Sequence, residues 1–282
     1  MSQLYFVESI ISNPDTQGAE IVLEVVGNSN QQMGENGLDG LYSEFICLSL
    51  PQFPVLANTN RRLEESHYVY FDESNGAFTS GKDDPLAKSR RNLNSRLRRD
   101  IIKYSSAQQN SQDALFSNRV FTKQAEVNSY HVNVGHGNCT FLLIQENGSY
   151  ELWVVDCGEH DYLEKKNYRC NIEVCLNDIS EKLKIERSDI RISRLLITHW
   201  HYDHISGIHH LIDKGFVDSN TILFANIHYG FSSKCANTLL DIIKNNNITC
   251  YEPTVALTSF SNITILYPEC RIRRQPDVKN PG

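Results

Sequence analysis

The sequence lacks any feature that would place the chain in or across a membrane. No run of about 18 apolar residues occurs, so no transmembrane helix is expected. Residues 1–5 carry neither a basic segment nor an apolar signal-peptide core, which indicates a cytoplasmic protein without a membrane partner. The eight cysteines include no Cys-x-x-Cys pair, so a disulfide framework is not expected. Reduced, packed thiols are expected instead.

The chain also lacks an excess of positive charge. Its formal net charge is −7 and its isoelectric point is near 5.8, which argues against nucleic-acid binding by bulk electrostatics. Basic residues are concentrated in one predicted helix, residues 84–104, with Asp84 as its cap and Pro85 in its first turn. The basic face consists of Lys88, Arg90, Arg91, Arg96, Arg98, Arg99 and Lys103. A solvated face is the simpler interpretation, and contact with nucleic acid or an acidic partner is the alternative.

Residues 1–113 are predicted to form a β-rich N-terminal region that contains this helix and ends in a linker. Its apolar and β-branched runs are typical of strands and span Leu4–Ile11, Glu20–Val26, Leu41–Leu50 and His67–Phe71. Ser74-Asn75-Gly76 predicts a hairpin turn after the fourth run. Residues 105–113 are poor in apolar side chains and predict the linker. No catalytic motif occurs in this region.

The most informative stretch is a mostly apolar run, Ile192–Ile197, that leads directly into a cluster of histidines and an aspartate. A short run of this composition predicts a strand buried on both faces. His199 and His201 are two residues apart, so in an extended segment their imidazoles project to the same side and can bind one divalent ion. Asp203 and His204 follow where the chain turns into a predicted helix. The pattern therefore predicts a metal site at the end of a strand.

The His-x-His-x-Asp-His pattern resembles the signature of the metallo-β-lactamase-fold hydrolases. Val154-Val155-Asp156-Cys157-Gly158 is similar to that family's strand-end Asp-x-Gly. Residues 132–139 are similar to the Val-Gly-Gln-Gly-Asp opening of the competence-type subgroup, the soluble domain of DNA-uptake proteins. His136 and Asn138 depart from it, where Gln and Asp are more frequent. The resemblance covers about residues 127–270 and implies an αββα sandwich and a metal-dependent hydrolase.

The resemblance also implies roles for individual residues. His199 and His201 would hold a first ion, while Asp203 and His204 would hold a second, with Asp203 also positioning the nucleophile. Two Zn²⁺ ions are expected, with manganese and iron left open because His/Asp sites accept several metals. Asp156 would orient the ligands from behind. The residues themselves place His136 better for substrate than for metal, because the glycines on either side of it let backbone and substrate approach closely. His228 emerges near a strand end and is either a third histidine ligand or an ordinary loop histidine.

Residues 125–282 are predicted to be the N-terminal half of the metallo-β-lactamase-like domain. Strands are expected at Tyr130–Val134, Thr140–Gln145 and Tyr150–Asp156, then alternating helices and strands. The family's bridging aspartate and final histidine would follow the last predicted strand, Ile263–Tyr267. After Glu269 only Asp277 is of the expected ligand type, so the fold is expected to be incomplete at this end.

Two functions from different classes follow. The first is a hydrolase in which metal-activated water attacks a phosphodiester or related ester bond, with a phosphodiester or nucleotide as substrate. The second is a truncated or split module that does not catalyse and acts in a protein assembly, completed by a protein partner or by the missing C-terminal half. Metal content and turnover distinguish the two.

Overall fold

The computed structural model describes residues 3–12, 18–26, 44–57, 59, 61–117, 125–161, 164, 166–227, 230–251, 257–260 and 263–266. The helices are α1 Pro85–Ser117, α2 Arg169–Leu183, α3 Tyr202–Ile205, α4 Ile208–Asp213 and α5 Lys234–Asn245. The first strands are β1 Leu4–Ser12, β2 Ala19–Val25, β3 Phe45–Leu50, β4 Tyr68–Asp72, β5 Ala77–Ser80, β6 Glu126–His131, β7 Cys139–Glu146 and β8 Ser149–Cys157. The later strands are β9 His160–Asp161, β10 Lys166–Asn167, β11 Arg194–Leu196, β12 Ile222–Phe224, β13 Thr249–Tyr251, β14 Leu257–Phe260 and β15 Ile263–Leu266.

The N-terminal region is a five-stranded antiparallel sheet with the order β3-β2-β1-β4-β5, so the predicted β-rich character is confirmed. Successive side chains of a strand point to opposite faces, and both faces of this sheet are apolar. One face carries Phe6 and Val22 into the main core, while Val7 and Leu23 pack into a smaller cluster on the other side. The predicted hairpin is present, and Gly76 adopts the positive φ of 68° that its turn requires.

The helix that follows is longer than the sequence predicts. Asp84 caps it by accepting the backbone N–H of Leu86 at 2.8 Å, but α1 continues to Ser117. The linker predicted at residues 105–113 is therefore wrong. At the start of this segment the buried hydroxyl of Ser105 accepts the backbone N–H of Cys250 in β13 at 2.9 Å. A contact with a distant strand thus stabilises the helix at the point where the predicted linker begins.

The second sheet is mixed and has the order β13-β12-β11-β8-β7-β6. Strands β6, β7 and β8 form the predicted antiparallel meander, and the β7–β8 turn places Asn147 and Gly148 at φ values of 50° and 78°. Strands β8, β11, β12 and β13 are parallel, so their carboxyl ends lie at one edge. The first strand was predicted at Tyr130–Val134 but occupies Glu126–His131, because its pairing with β7 begins earlier in the chain.

Side chains from both sheets share one hydrophobic core. Phe6 packs edge-on against Phe231 with ring centroids 5.0 Å apart, and Phe45 lies against Tyr202 at 4.8 Å. Tyr68 donates its hydroxyl to the carbonyl of Ser232 at 2.8 Å. The mixed α/β class is therefore confirmed and is consistent with the predicted sandwich. The domain boundary between residues 113 and 125 stays a prediction, and residues on both sides of it contribute to this core.

Three further expectations concern the described residues only in part. None of the helices in the described ranges is long and apolar enough to span a membrane. The cysteines of the described part are free thiols, with Cys139 and Cys157 side by side and their Sγ atoms 3.8 Å apart. His228 and everything after Leu266 lie outside the described residues, and so does the expected loss of C-terminal motifs.

Candidate functional site

The histidine motif lies at the carboxyl edge of the parallel strands. Leu195 and Leu196 of β11 pair with Val154 and Val155 of β8, so the residues that follow both strands meet at this edge. Crevices outside the carboxyl ends of parallel strands are the usual ligand sites of α/β sheets. The motif then continues into the two short helices α3 and α4 rather than one helix.

Asp156, the penultimate residue of β8, is the centre of the hydrogen-bond network. It is fully buried and adopts a positive φ of 52°, which turns its carboxylate towards the motif. Its Oδ1 accepts the backbone N–H of Thr198 at 2.7 Å. Its Oδ2 accepts the Thr198 hydroxyl at 2.6 Å, Nδ1 of His204 at 2.8 Å and the Asn138 amide at 3.3 Å. One carboxylate thus joins the ends of β8 and β11 to helix α3.

This network favours a proton on Nδ1 of His199 and on Nδ1 of His204. Because Thr198 gives its hydroxyl proton to Asp156, its oxygen is left to accept Nδ1–H of His199 at 3.0 Å. His204 likewise donates Nδ1–H to Asp156. Both imidazoles therefore keep Nε2 as the remaining nitrogen, the arrangement in which an outer carboxylate orients metal-binding histidines.

The three imidazoles of the motif are in contact with one another. The ring centroid of His199 lies 3.8 Å from that of His204 and 4.6 Å from that of His201. Burial, and then the charges of His204 and His201, lowers the pKa of His199 to about 4. His199 is therefore neutral at physiological pH, the form that a metal ligand requires. Burial alone would lower the pKa of His204, but the hydrogen bond to Asp156 and the charge of Asp203 raise it overall.

Asp203 is buried and incompletely satisfied. Its Oδ2 lies 3.7 Å from Nε2 of His204, and its Oδ1 has no hydrogen-bond partner among the residues that the structure describes. Burial is the main reason that the pKa of this carboxyl is raised, although His204 and His201 partly offset it. A buried carboxylate oxygen without a donor is costly unless a proton or a cation compensates it. This oxygen is the first sign that the site takes a positive ligand.

Two glycines of the neighbouring loops allow Asp203 to approach. A Cβ on Gly137 would lie 2.1 Å from the Asp203 carbonyl oxygen, and one on Gly158 would lie 1.9 Å from it. The carbonyl also accepts the backbone N–H of Asn138 at 3.3 Å. The sequence suggested that the glycines beside His136 leave room for substrate, but Gly137 instead makes room for the chain itself.

The other predicted site residue on this side, His136, lies in the loop after β6. Its Nδ1 is 2.8 Å from Oδ2 of the buried Asp161, and about half of its side chain is exposed. The hydrogen bond to the Asp161 carboxylate raises the pKa of His136, and this effect is larger than the lowering of the pKa by burial. His136 is thus held at the surface without a contact to the motif histidines. The predicted ligand His228 is not among the described residues.

Two acidic residues of the N-terminal region, one in β1 and one in a loop, reach the motif, and sequence reasoning missed both. Glu8 of β1 accepts the backbone N–H of Tyr202 at 2.5 Å through Oε1, and Oε2 of Glu65 lies 3.5 Å from Nε2 of His201. Burial, and then Glu24, raises the pKa of Glu8 well above its usual value. The available signal was an acid in a mostly apolar strand, since Glu8 continues the alternate positions of Leu4 and Phe6, which face the core.

The imidazole and carboxylate groups of the motif are of the type that binds a divalent cation, but in this structure they pair with acidic side chains and with one another. Within the described ranges, no three His, Cys, Asp or Glu side chains are arranged as a formed ligand set. His201 faces Glu65, and His204 faces both Asp156 and Asp203. The observation in favour of a cation is chemical. The imidazole of His199 is neutral, and Oδ1 of the buried Asp203 has no hydrogen-bond donor among the residues that the structure describes. Binding would require these contacts to open.

Comparison with known proteins finds a similarity in the part of the chain that contains this site. No curated protein matches the chain. The competence-type subgroup stays a prediction, since the match is at the level of the superfamily. Residues 132–219, which include Asp156 and the whole histidine motif, match the family model described as Metallo-beta-lactamase superfamily.

Proposed function

We propose that this chain is a metal-dependent hydrolase in which His199, His201, Asp203 and His204 hold the metal, with zinc as the expected ion. The observation that carries the proposal is the chain of hydrogen bonds from Asp156, which leaves Nε2 of His199 and of His204 at the motif. A network that served only to pack a loop would not need two contacting imidazoles in the same tautomer. The superfamily match of this segment supports the same function.

When bound, the metal would supply a water molecule of lowered pKa as the nucleophile. The chain's own residues position the reaction. Asp156 orients His204 directly and His199 through Thr198, so that neither ring has to be ordered when substrate arrives. Asp203 holds a carboxylate oxygen at the site, where it can accept a proton or position the nucleophile. His136, held by Asp161 and half exposed, is available to contact substrate.

We propose an ester substrate, with phosphodiesters as the first class to test. The support is the loop at residues 132–139 and its resemblance to the competence-type opening. The basic helix adds little, because part of its charge is used internally: Arg90 pairs with the buried Glu24 at 3.2 Å, and Arg98 donates to Asn94 at 2.8 Å. Only Lys88, Arg96, Arg99 and Lys103 of that face are exposed.

The second candidate function is an assembly module that keeps the fold without catalysing, completed by a protein partner. The observation that favours it is the lack of a formed three-ligand group in the described part of the chain. The two functions differ in turnover and not in fold.

The test is the zinc content of the purified full chain, measured together with turnover of a chromogenic phosphodiester and a chromogenic carboxylic ester. We expect at least one bound equivalent, lost in the double variant His199→Ala/His201→Ala, with turnover falling at least about 100-fold. His131→Ala is the matched control, because His131 is exposed in β6 and bonded to Thr140. Bound metal without turnover of either ester would favour the assembly module, and no bound metal would refute the proposal.

A further inference from the structure

The first strand of the N-terminal sheet contains an irregularity that directs an acidic side chain towards the motif. In the pairing of β1 with β2, Val7 is opposite Leu23 while Ser9 is opposite Val22, so Glu8 is the extra residue of a β-bulge. Bulges often occur beside active sites, where they redirect one side chain. Glu8 is fully buried and is the only charged residue of this strand, which otherwise carries apolar side chains and two serines.

Glu8 is more than a helix cap. Its Oε1 accepts the backbone N–H of Tyr202, the first residue of α3, and a neutral side chain of similar length would serve for that contact. Its Oε2 is buried and has no hydrogen-bond partner among the described residues. A half-satisfied carboxylate in the core is destabilising on its own, so a purely structural role would favour glutamine.

The unsatisfied oxygen of Glu8 is matched by a second one close by. Asp203 directly follows Tyr202, and its Oδ1 also lacks a partner within the described ranges. The two carboxylates lie within electrostatic range of each other. Burial raises the pKa of both acids, so their charges need compensation, and either protons or a cation bound by both can supply it.

A neighbouring loop of the same region approaches the motif independently. Oε1 of Glu65, which precedes β4, accepts the backbone N–H of Ile10 at 3.3 Å and is thereby fixed to β1. Its Oε2 lies 3.5 Å from Nε2 of His201. The N-terminal region therefore contributes acidic groups to the motif at two separate points, one in strand β1 and one in the loop before β4.

We propose that Glu8 is a ligand of the cation site, supplied by the N-terminal sheet, and that it shares a divalent ion with Asp203 of the histidine motif. The proposal rests on the proposed function, since it assumes that the motif binds a metal. It assigns residues 1–113 a direct part in the site, in addition to their packing. Carboxylate oxygens and imidazole nitrogens together are an ordinary ligand set for zinc.

The experiment compares Glu8→Gln with Glu24→Gln in the full chain, using Zn²⁺ alone as the probe. Glutamine at position 8 keeps the oxygen that accepts Tyr202 N–H, so only the charge and the free carboxylate oxygen are lost. Glu24 is the matched control because it is equally buried in the same sheet, but Arg90 and the backbone N–H of Lys234 satisfy it. Zinc affinity and stoichiometry are measured by calorimetry, and thermal unfolding of the metal-free proteins reports the fold.

We expect Glu8→Gln to weaken zinc binding by roughly 10–100-fold or to remove one equivalent, and Glu24→Gln to stay within about twofold of wild type. Metal-free Glu8→Gln should melt no lower than wild type. Should Glu8→Gln not fold, Glu8→Asp takes its place, and its shorter carboxylate should weaken zinc binding without abolishing it.

Three results would overturn the proposal, and they differ in what else they refute. If wild type binds zinc and Glu8→Gln, or Glu8→Asp in its place, binds equally well, Glu8 is not a ligand while the proposed function stands. If Glu24→Gln loses as much affinity as Glu8→Gln, the effect is a general one of charge in the sheet. If wild type binds no zinc, the proposed function fails and the Glu8 proposal fails with it.

Discussion

Replacing Asp156 by asparagine tests the hydrogen-bond network on which the site depends. The change keeps the shape of the side chain, and asparagine tolerates the positive φ of 52° as well as aspartate does. It removes the charge and turns one of two acceptor oxygens into a donor group. All four groups that face Asp156 donate to it, from Thr198, Asn138 and His204.

The magnitude follows from the better of the two amide orientations. With the amide oxygen at the Oδ2 position, the hydroxyl, imidazole and Asn138 contacts remain, but the NH₂ group then faces the N–H of Thr198. An unsatisfied buried N–H costs about 1–3 kcal/mol, and the remaining bonds lose their charge assistance. We therefore expect a loss of about 3 kcal/mol in the free energy of unfolding. At roughly 2–4 °C per kcal/mol for a chain of this size, the melting temperature should fall by about 6–12 °C.

The assay is chemical unfolding followed by circular dichroism, with thermal unfolding alongside it. Asp178→Asn is the matched control, because Asp178 is exposed on α2 and its substitution should change the free energy of unfolding by no more than about 0.5 kcal/mol. Zinc affinity should also fall in Asp156→Asn, since His199 and His204 lose their orientation. A variant as stable as Asp178→Asn would show that the four contacts contribute no net stability and would refute this account of the site.

Two further predictions concern the loops around the motif. Gly158→Ala should cost about 3 kcal/mol and weaken zinc binding, because the new Cβ would meet the Asp203 carbonyl oxygen at 1.9 Å. Gly148→Ala, strained only by its φ of 78°, should leave zinc binding unchanged; equal effects would contradict the steric argument. In an NMR titration His136 should show a pKa above 6.5 that falls in Asp161→Asn. Because the pKa of His136 is raised and that of Asp161 is lowered, the pair's contribution to stability is complete between roughly pH 4 and 6.5. It is lost as the pH rises through the folded pKa of His136 and as the pH falls through the folded pKa of Asp161. A pKa of His136 that is unchanged in Asp161→Asn would refute the pairing.

The strands and the position of the motif were predictable because both depend on local patterns. Alternation and turn residues identify the N-terminal strands, and the run before His199 identifies β11, whose carboxyl end leads into the motif. The extent of α1 was not predictable, because Ser105 is buried by β13, which lies far along the chain. The polar composition that suggested a linker gives no sign of this contact.

Only the part of the site that the histidine motif supplies was predictable from the sequence. The spacing of His199, Asp203 and His204 indicates metal chemistry, but it contains no information about which distant segment lies against it. Glu8 is joined to Tyr202 across 194 residues of chain, and no local pattern specifies a contact at that separation. An acid within a mostly apolar strand indicates that the acid has a polar partner. Only the folded structure shows that the partner of Glu8 is the backbone N–H of Tyr202.

The sharing of one core by the two sheets has a consequence for how the protein is made. The N-terminal sheet leaves the ribosome first, with Phe6 and Val22 on a face that only later residues cover. At a synthesis rate of about 5–20 residues per second, the 194 residues between Glu8 and Tyr202 take roughly 10–40 s to follow. During that interval an apolar sheet face and a bulge-directed carboxylate lack their partners. We therefore expect the yield of native protein to depend on how quickly the second half follows and on protection of the exposed sheet face until it does.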